Sequence, residues 1–516
     1  MKPRTVAFCM SLLASAGPCW GQGRAAAPTI PHLPPAMPSV LAAQTPPAPP
    51  PIPMVSVVQA PPSIPMLPVV QAPPSMPAIP STAMLRGPPA LPAAIPAAVR
   101  PGPPDVLPAA ANAVDGHASE FALSRAEAAV TSETSRAQSQ QALVKANPQL
   151  LDMDPLGNAV VRGQVLAIAP SAQGLESARR LGFTVGSPVD LGDLGLKMVM
   201  LVAPMGQSAS QGIDRLRATD PDGIYDFNHL YAAVSSAERI GAAPPGTPRA
   251  NRRVHGVRIG LIDAGALAAH PALGGVHIEQ KGFAPGGVVA SRHGTAIASL
   301  IAGNSDRFSG EAPGSDLYIA DVYGNTAAGG SALAVAQALG WLTDQGVPVI
   351  NVSLVGPRNA LLDAALKAVV GRGVLVVAAV GNDGPASPPL YPAAYAGVVG
   401  VTAVDSKDMV ILEAVRGPQV HFAAPGADLD AADLGTGYST VRGTSFAAPI
   451  VAARLATLHR KIGLADARLA LSSLERDAKD LGPKGRDDIY GYGLIGEEVR
   501  LQGVAGPPEK KGLAQK

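Results

Sequence analysis

From Val254 onward the sequence predicts an α/β fold, a parallel sheet with helices on both faces, and a small α+β domain comes before it. Three observations carry this. Five segments are near-continuous apolar runs rich in Val, Ile and Ala: VRIGLIDAG, DLYIADVY, VPVINVSL, VLVVAAVGN and GVVGVTAV. Helical stretches separate them, among them GTAIASLIAG, GGSALAVAQALGWLTDQG and ALLDAALKAVVGRG. Strands apolar on both sides, with helices between them, belong to a parallel sheet covered above and below. Upstream, shorter elements alternate in a different order, with polar residues mixed into the strands.

The chain of 516 residues begins MKPRTVAFCMSLLASAGPCWGQ. Lys2 and Arg4, a short apolar run and Ala14-Ser15-Ala16 have the layout of an export signal, assigned here to residues 1–27. The run is too short to cross a bilayer, which takes about 20 apolar residues. Cys9 and Cys19 are the only cysteines, so no disulfide is expected in the exported body. Residues 28–118 are Pro-rich and hold most of the 53 prolines. They have no aromatic residue before Phe121, and they contain a twelve-residue repeat, VVQAPPSIPMLP followed by VVQAPPSMPAIP. Such a segment cannot assemble a core and is expected to be a disordered, extended spacer. A formal net charge of +1 without a polybasic stretch gives no reason to expect nucleic acid or an anionic membrane as partner.

A domain is expected over 119–231. Its first part, Ser119 to Leu151, reads as a helix. Its core, 159–231, reads as strand 159–170, helix 172–183, a short strand near FTVGSPVDL, strand 196–204, helix 208–221 and strand 223–231. That β-α-β-β-α-β order is ferredoxin-like. A linker over 232–253, the large domain over 254–503 and a tail over 504–516 complete the chain.

In a parallel sheet a site forms beyond the carboxyl ends of the strands. Asp263 follows VRIGLI, and Asn382 follows VLVVAAVG. His293 opens the helical stretch after SRHG, and Ser445 opens another in GTSFAAP. Each alone has an ordinary structural explanation: a turn former, a helix start, an N-cap. All four at strand ends and helix starts of one domain is a catalytic pattern. The proline of GTSFAAP is expected near the end of the first helical turn, where a missing N–H costs little.

These words resemble the subtilisin-like serine proteases over about 254–503. LIDAG is similar to that family's Asp motif, RHGTAIASLIAG to its His motif and GTSFAAPIVA to its Ser motif. AAVGN is similar to the element supplying an oxyanion donor, SLVG (Ser353, Leu354, Val355, Gly356) to the substrate-binding strand, and YGYGLI (490–495) to a closing segment before the last helix. The order Asp, His, Ser is that family's order. The resemblance implies a serine-type endopeptidase with Ser445 as nucleophile, His293 as general base and Asp263 orienting the imidazole. Asn382 and the Ser445 main-chain N–H would receive the oxyanion. Only a neutral imidazole can take the Ser445 proton, so activity is expected to rise from mildly acidic to neutral or alkaline pH. Ala264, where the family has Ser or Thr, and Val380, where it has Ala, depart from the pattern.

The resemblance further implies that the small domain is a propeptide acting as intramolecular inhibitor, with autoprocessing between Tyr231 and Arg253. Leu390, just before Tyr391-Pro392, is expected on the floor of the specificity pocket, favouring Ala or other small apolar residues before the cut bond. Protein or peptide substrates are expected, with no cofactor required. Calcium sites are common in the family, but no acidic loop names its ligands. A maturation protease with one dedicated substrate, and a surface interaction protein on a weak protease scaffold, are the alternatives.

Overall fold

A computed structural model describes residues 136–233, 253–305 and 308–502. The expected signal and Pro-rich segments, the helix before residue 136, the linker residues 234–252 and the tail lie outside the described residues.

Helix α1 (136–146) comes first. The sequence expectation carried this helix to Leu151, and that is corrected. Pro148 disfavours a helical conformation at Asn147, and the Asn147 amide turns back to donate to the Leu143 carbonyl at 2.9 Å. Leu150 lies in a turn, and Leu151–Met153 forms a strand instead, β1, paired with the start of β2 (Ala159–Ile168).

There follow α2 (Ala172–Arg180), β3 (Thr184–Asp190), β4 (Lys197–Val202), α3 (Ala209–Thr219), β5 (Ile224–His229) and β6 (Ala232–Ala233). Ser171 caps α2 by accepting from Gly174, and Ser208 with Gln211 forms a capping box on α3. The sheet runs β5-β2-β4-β3 with all neighbours antiparallel. The expected β-α-β-β-α-β order is therefore found, with strand and helix ends displaced by up to three residues.

The large domain contains β7 (Arg258–Asp263), β8 (Ile278–Gly282), α4 (Arg292–Ala302), the short pair β9 (Asn304–Ser305) and β10 (Phe308–Ser309), β11 (Asp316–Asp321), α5 (Ala332–Asp344), β12 (Val349–Val352) and β13 (Leu354–Val355). Next come α6 (Ala360–Gly371), β14 (Leu375–Ala379), β15 (Val398–Val404), β16 (Val420–Pro425), β17 (Leu429–Ala432), β18 (Tyr438–Val441), α7 (Thr444–Leu458) and α8 (Leu464–Asp477). Seven strands form one parallel sheet in the order β16-β15-β14-β12-β7-β11-β8. Helices α4 and α7 pack together against it, as do α5 and α6 on the other side.

Segment 490–495 pairs with β16 through the Ala423–Leu494 bridge. The last α-helix precedes that segment, and only a 3₁₀ turn, Glu497–Gln502, follows it. The expectation of a final helix after 495 is corrected in that respect.

The small sheet lies on α5 and α6. Leu166, Ile168 and Met198 join the core of the large domain, while Val165, Ala167, Val199 and Leu201 form a separate core with α2 and α3. The period-2 alternation of strands puts these two sets on opposite faces. Polar ends complete the contact. Asp226 accepts the Ala360 N–H at the start of α6 at 2.6 Å, and Asn228 accepts the Leu333 N–H at the start of α5 at 3.1 Å. Both satisfy helix-start donors that have no partner within their own helices.

Candidate active site

Asp263 is the last residue of β7 and is fully buried. Its Oδ1 accepts the Ala264 N–H at 2.7 Å. His293 is the second residue of α4, which Ser291 caps by accepting the Gly294 N–H at 2.9 Å. The Ser291 N–H in turn donates to the Gly265 carbonyl at 2.8 Å, tying the helix start to the loop after Asp263. Gly294 is required there: a Cβ would stand 2.4 Å from the Ala264 carbonyl oxygen. A glycine directly after the histidine thus lets α4 approach the strand end.

His293 Nδ1 is 2.9 Å from both Asp263 oxygens, and Nε2 is 3.0 Å from Ser445 Oγ. An ionised carboxylate only accepts, so Nδ1 carries the proton in the neutral ring. Nε2 is then the acceptor for the Ser445 hydroxyl. The Phe446 ring packs at 5.2 Å from the imidazole centroid.

Ser445 is the second residue of α7. Gly443 leads into it with φ +145°, a conformation that side-chain-bearing residues rarely adopt, and donates its N–H to Gly426 at 2.8 Å. Pro449 lies inside the helix. Its missing N–H is the one that would have bonded the carbonyl four residues back, that of Ser445. The Ser353 hydroxyl donates to that carbonyl at 3.0 Å and accepts from Asn351 Nδ2 at 2.8 Å. The proline therefore opens the Ser445 carbonyl to a side chain from the strand beneath, and the helix start is pinned to the sheet.

Thr444 fixes Asn382. Its N–H and hydroxyl both donate to Asn382 Oδ1, at 3.1 and 3.0 Å, while the hydroxyl accepts from the Gly381 N–H at 3.2 Å. With Oδ1 occupied twice, the amide Nδ2 of Asn382 is buried and has no hydrogen-bond acceptor. A buried donor left without an acceptor is costly unless something supplies one.

The SLVG segment divides its work. Ser353 is fully buried, its side chain committed to the support of Ser445. Leu354 and Val355 form an antiparallel pair with Ala233 and Ala232 of the same chain. The preceding Tyr231 donates its N–H to Gly330 at 2.8 Å and its hydroxyl to the Pro357 carbonyl at 2.6 Å. Its ring covers Gly356, where a Cβ would stand 2.6 Å away. The segment 230–233 is thus inserted between Gly330–Ser331 and Leu354–Val355. Gly356 also exchanges two hydrogen bonds with Tyr391, and the buried Leu390 lies against Gly381, 2.5 Å from where its Cβ would be.

The sequence reading missed Thr444, the anchoring role of Ser353, and Gly330. The hydroxyl next to the nucleophile was a visible signal for the first; the other two depend on contacts with distant segments. Among the described residues, no group of three or more His, Cys, Asp or Glu side chains is placed to hold a metal ion, and no helix is long and apolar enough to cross a membrane.

Comparison with known proteins follows the same residues. The subtilase family model matches residues 255–493, a range that contains Asp263, His293, Asn382 and Ser445. Subtilisin Savinase of Lederbergia lenta is 34% identical over 253 residues, covering 47% of this chain and 90% of that protein. Minor extracellular protease Epr of Bacillus subtilis is 35% identical over 208 residues, which are 39% of this chain and 32% of Epr. The chain therefore spans about a third of the length of Epr and most of Savinase. Among solved structures, fervidolysin from Fervidobacterium pennivorans, a keratinolytic enzyme related to subtilisin, has a likeness of fold. Its TM-score is 0.56 at 22% identity, covering 68% of this chain and 62% of that one. Nine tenths of Savinase, matched at this identity across the elements that carry the site, establish that this chain belongs to the subtilase family.

Proposed function

We propose that the protein is an exported serine endopeptidase, made as a zymogen. The observation that carries the reading is the chain of hydrogen bonds from Asp263 through His293 to Ser445, at 2.9 and 3.0 Å, beside the unpaired amide of Asn382. Ser445 Oγ attacks the substrate carbonyl while Nε2 of His293 takes its proton. Asp263 holds the ring in the tautomer that makes Nε2 the acceptor. Charge that develops on the carbonyl oxygen is received by Asn382 Nδ2 and by the Ser445 main-chain N–H in the first turn of α7. The imidazolium then protonates the leaving amine, and water repeats the sequence on the acyl-enzyme. No step calls for a cofactor.

The segment 230–233 supports the zymogen reading, because it lies in the groove as a substrate strand would. Continuing its register with β13 by one residue sets Val234 opposite Ser353, and the bond expected to be cut is Val234–Ser235. Leu390 against Gly381 leaves little depth beside that position, in keeping with small apolar residues such as Ala or Val before the cut bond. Export is supported by the N-terminal Lys2–Ala16 layout and by the extracellular description of Epr.

The test is labelling with a serine-reactive fluorophosphonate, together with N-terminal sequencing. Wild-type protein should be labelled and should start at Ser235, whereas Ser445→Ala should do neither and lose on the order of 10⁶ in turnover. Folded wild type that is never labelled would refute the enzyme reading. An intact 150–250 segment in labelled protein would refute the zymogen reading alone.

A further inference from the structure

We propose that α1 is a second strap on the cleft, whose Arg136–Asp383 ion pair helps to hold the tail Tyr231–Ala233 in place from outside the small domain. The proposal deepens the zymogen reading and rests on it. Helix α1 stands apart from the β-α-β-β-α-β unit, ending at residue 146 before β1 begins. Arg136, Gln140 and Val144 are partly buried while the residues between them are exposed. That spacing of four marks one face of a helix laid on a surface.

The two ends of that face touch different parts of the groove. Val144 packs on the cluster of Leu151, Ala159 and Leu230, which also receives Ala327 and Ala328. Those alanines lie just before Gly330, the acceptor of the Tyr231 N–H. At the other end Arg136 pairs with Asp383, the residue after the amide donor Asn382. Eight residues of helix cover about 12 Å, so α1 reaches from the wall beside Leu230 to the rim beside Asn382.

The pair is more enclosed than a surface ion pair: the side chain of Asp383 is 9% exposed and that of Arg136 24%. Removing one partner of an enclosed pair leaves a charge without compensation, whereas an exposed pair contributes little. Opening of the tail therefore works against the Arg136–Asp383 contact as well as against β6–β13 pairing.

Hydrogen exchange on the full chain carrying Ser445→Ala, which keeps the precursor uncut, tests this. Adding Arg136→Ala should speed exchange of the amides of Tyr231–Ala233 and Leu354–Val355 by about tenfold, a partly enclosed pair being intermediate between surface and buried ones. Amides of β2, β4, β14 and β15 should keep their rates. Arg136→Lys, which retains the cation without the planar fork, should stay within about threefold of the parent. Unchanged exchange of the tail in Arg136→Ala overturns the strap, and so does acceleration spread evenly over the small domain. Both outcomes are independent of catalysis. Failure of the protease reading appears separately, as absent fluorophosphonate labelling of folded wild type, and that result overturns the strap too, since it would then guard no enzyme.

Discussion

In the seven-stranded sheet, β12, β14 and β15 are buried at every residue. In the smaller sheet, β2 and β4 send alternate side chains to two different cores. The first sheet is enclosed by its own domain's helices. The second has half of its apolar face satisfied only by α5 and α6 of its neighbour. Full burial of a side chain such as Leu166, Ile168 or Met198 contributes about 1.5–3 kcal/mol. Separation of the two domains would therefore expose apolar surface on both. The difference explains how a small domain whose chain has been cut can stay bound, with its C-terminal tail in the groove. It also separates the molecule into a part that carries the chemistry and a part that controls access to it.

Four substitutions or conditions sharpen that division. The largest effect is expected at Asn382. Asn382→Ala removes the buried amide donor and should lower kcat by about 10²–10³, the cost of losing one oxyanion donor. Hydrogen-exchange protection of Ala232–Ala233 should be retained; a tail that loosens in this variant would show that chemistry and docking are not separable.

Tyr231→Ala is the converse. The side chain is 1% exposed, and its hydroxyl and ring both contact the large domain. Its loss should weaken docking by about 3 kcal/mol, the lower end for truncating a buried aromatic side chain. The processed N-terminal region should then dissociate during purification while kcat of the released enzyme is unchanged. Continued copurification at wild-type stoichiometry would contradict the anchoring role.

Leu390→Gly probes the pocket. Overpacking against a large side chain costs about 1–3 kcal/mol, so the variant should gain activity on peptides with Phe before the cut bond relative to Ala. An unchanged Phe-to-Ala ratio would remove Leu390 from the pocket.

The smallest effect concerns pH. Asp154 of the small domain accepts from His229 Nε2 at 3.1 Å, and His229 Nδ1 lies 3.0 Å from Asn359 Nδ2 of the large domain. Burial alone would raise the Asp154 carboxyl, but hydrogen bonds with His229 and Asn158 outweigh it and hold the group below its ordinary value of 3.8. A carboxyl lowered in the folded state stabilises above its unfolded pKa and loses that contribution as pH falls through the folded one. Protection of β5 amides should therefore hold above about pH 4 and fall below it. Asp154→Asn should show a smaller fall over the same range; an equal fall would assign the loss to other groups.

The strands of the large domain were legible because burial on both faces leaves an unbroken apolar run. Asp263, His293, Asn382 and Ser445 were legible because each stands in a short word at a strand end or helix start. The small domain's order was legible from its turns and caps. The end of α1 was misread because Pro148 was given too little weight against the helical pattern before it. Ser353 was assigned to substrate through its neighbours, although its side chain answers to Pro449 and Ser445. That contact joins residues 92 positions apart, and local pattern has no access to it.

By itself the sequence determined which segments must be buried, where helices begin, and which residue types stand at the ends of the sheet. Periodicity, glycine and capping residues act within a few positions, so they can be read along the chain. Only the tertiary structure decided that Asn382 keeps an amide unpaired, that Ala232–Ala233 lies against Leu354–Val355, and that Arg136 reaches Asp383. Each depends on the register and packing of segments far apart in the chain, where the energy of a contact is set by geometry that no local pattern encodes.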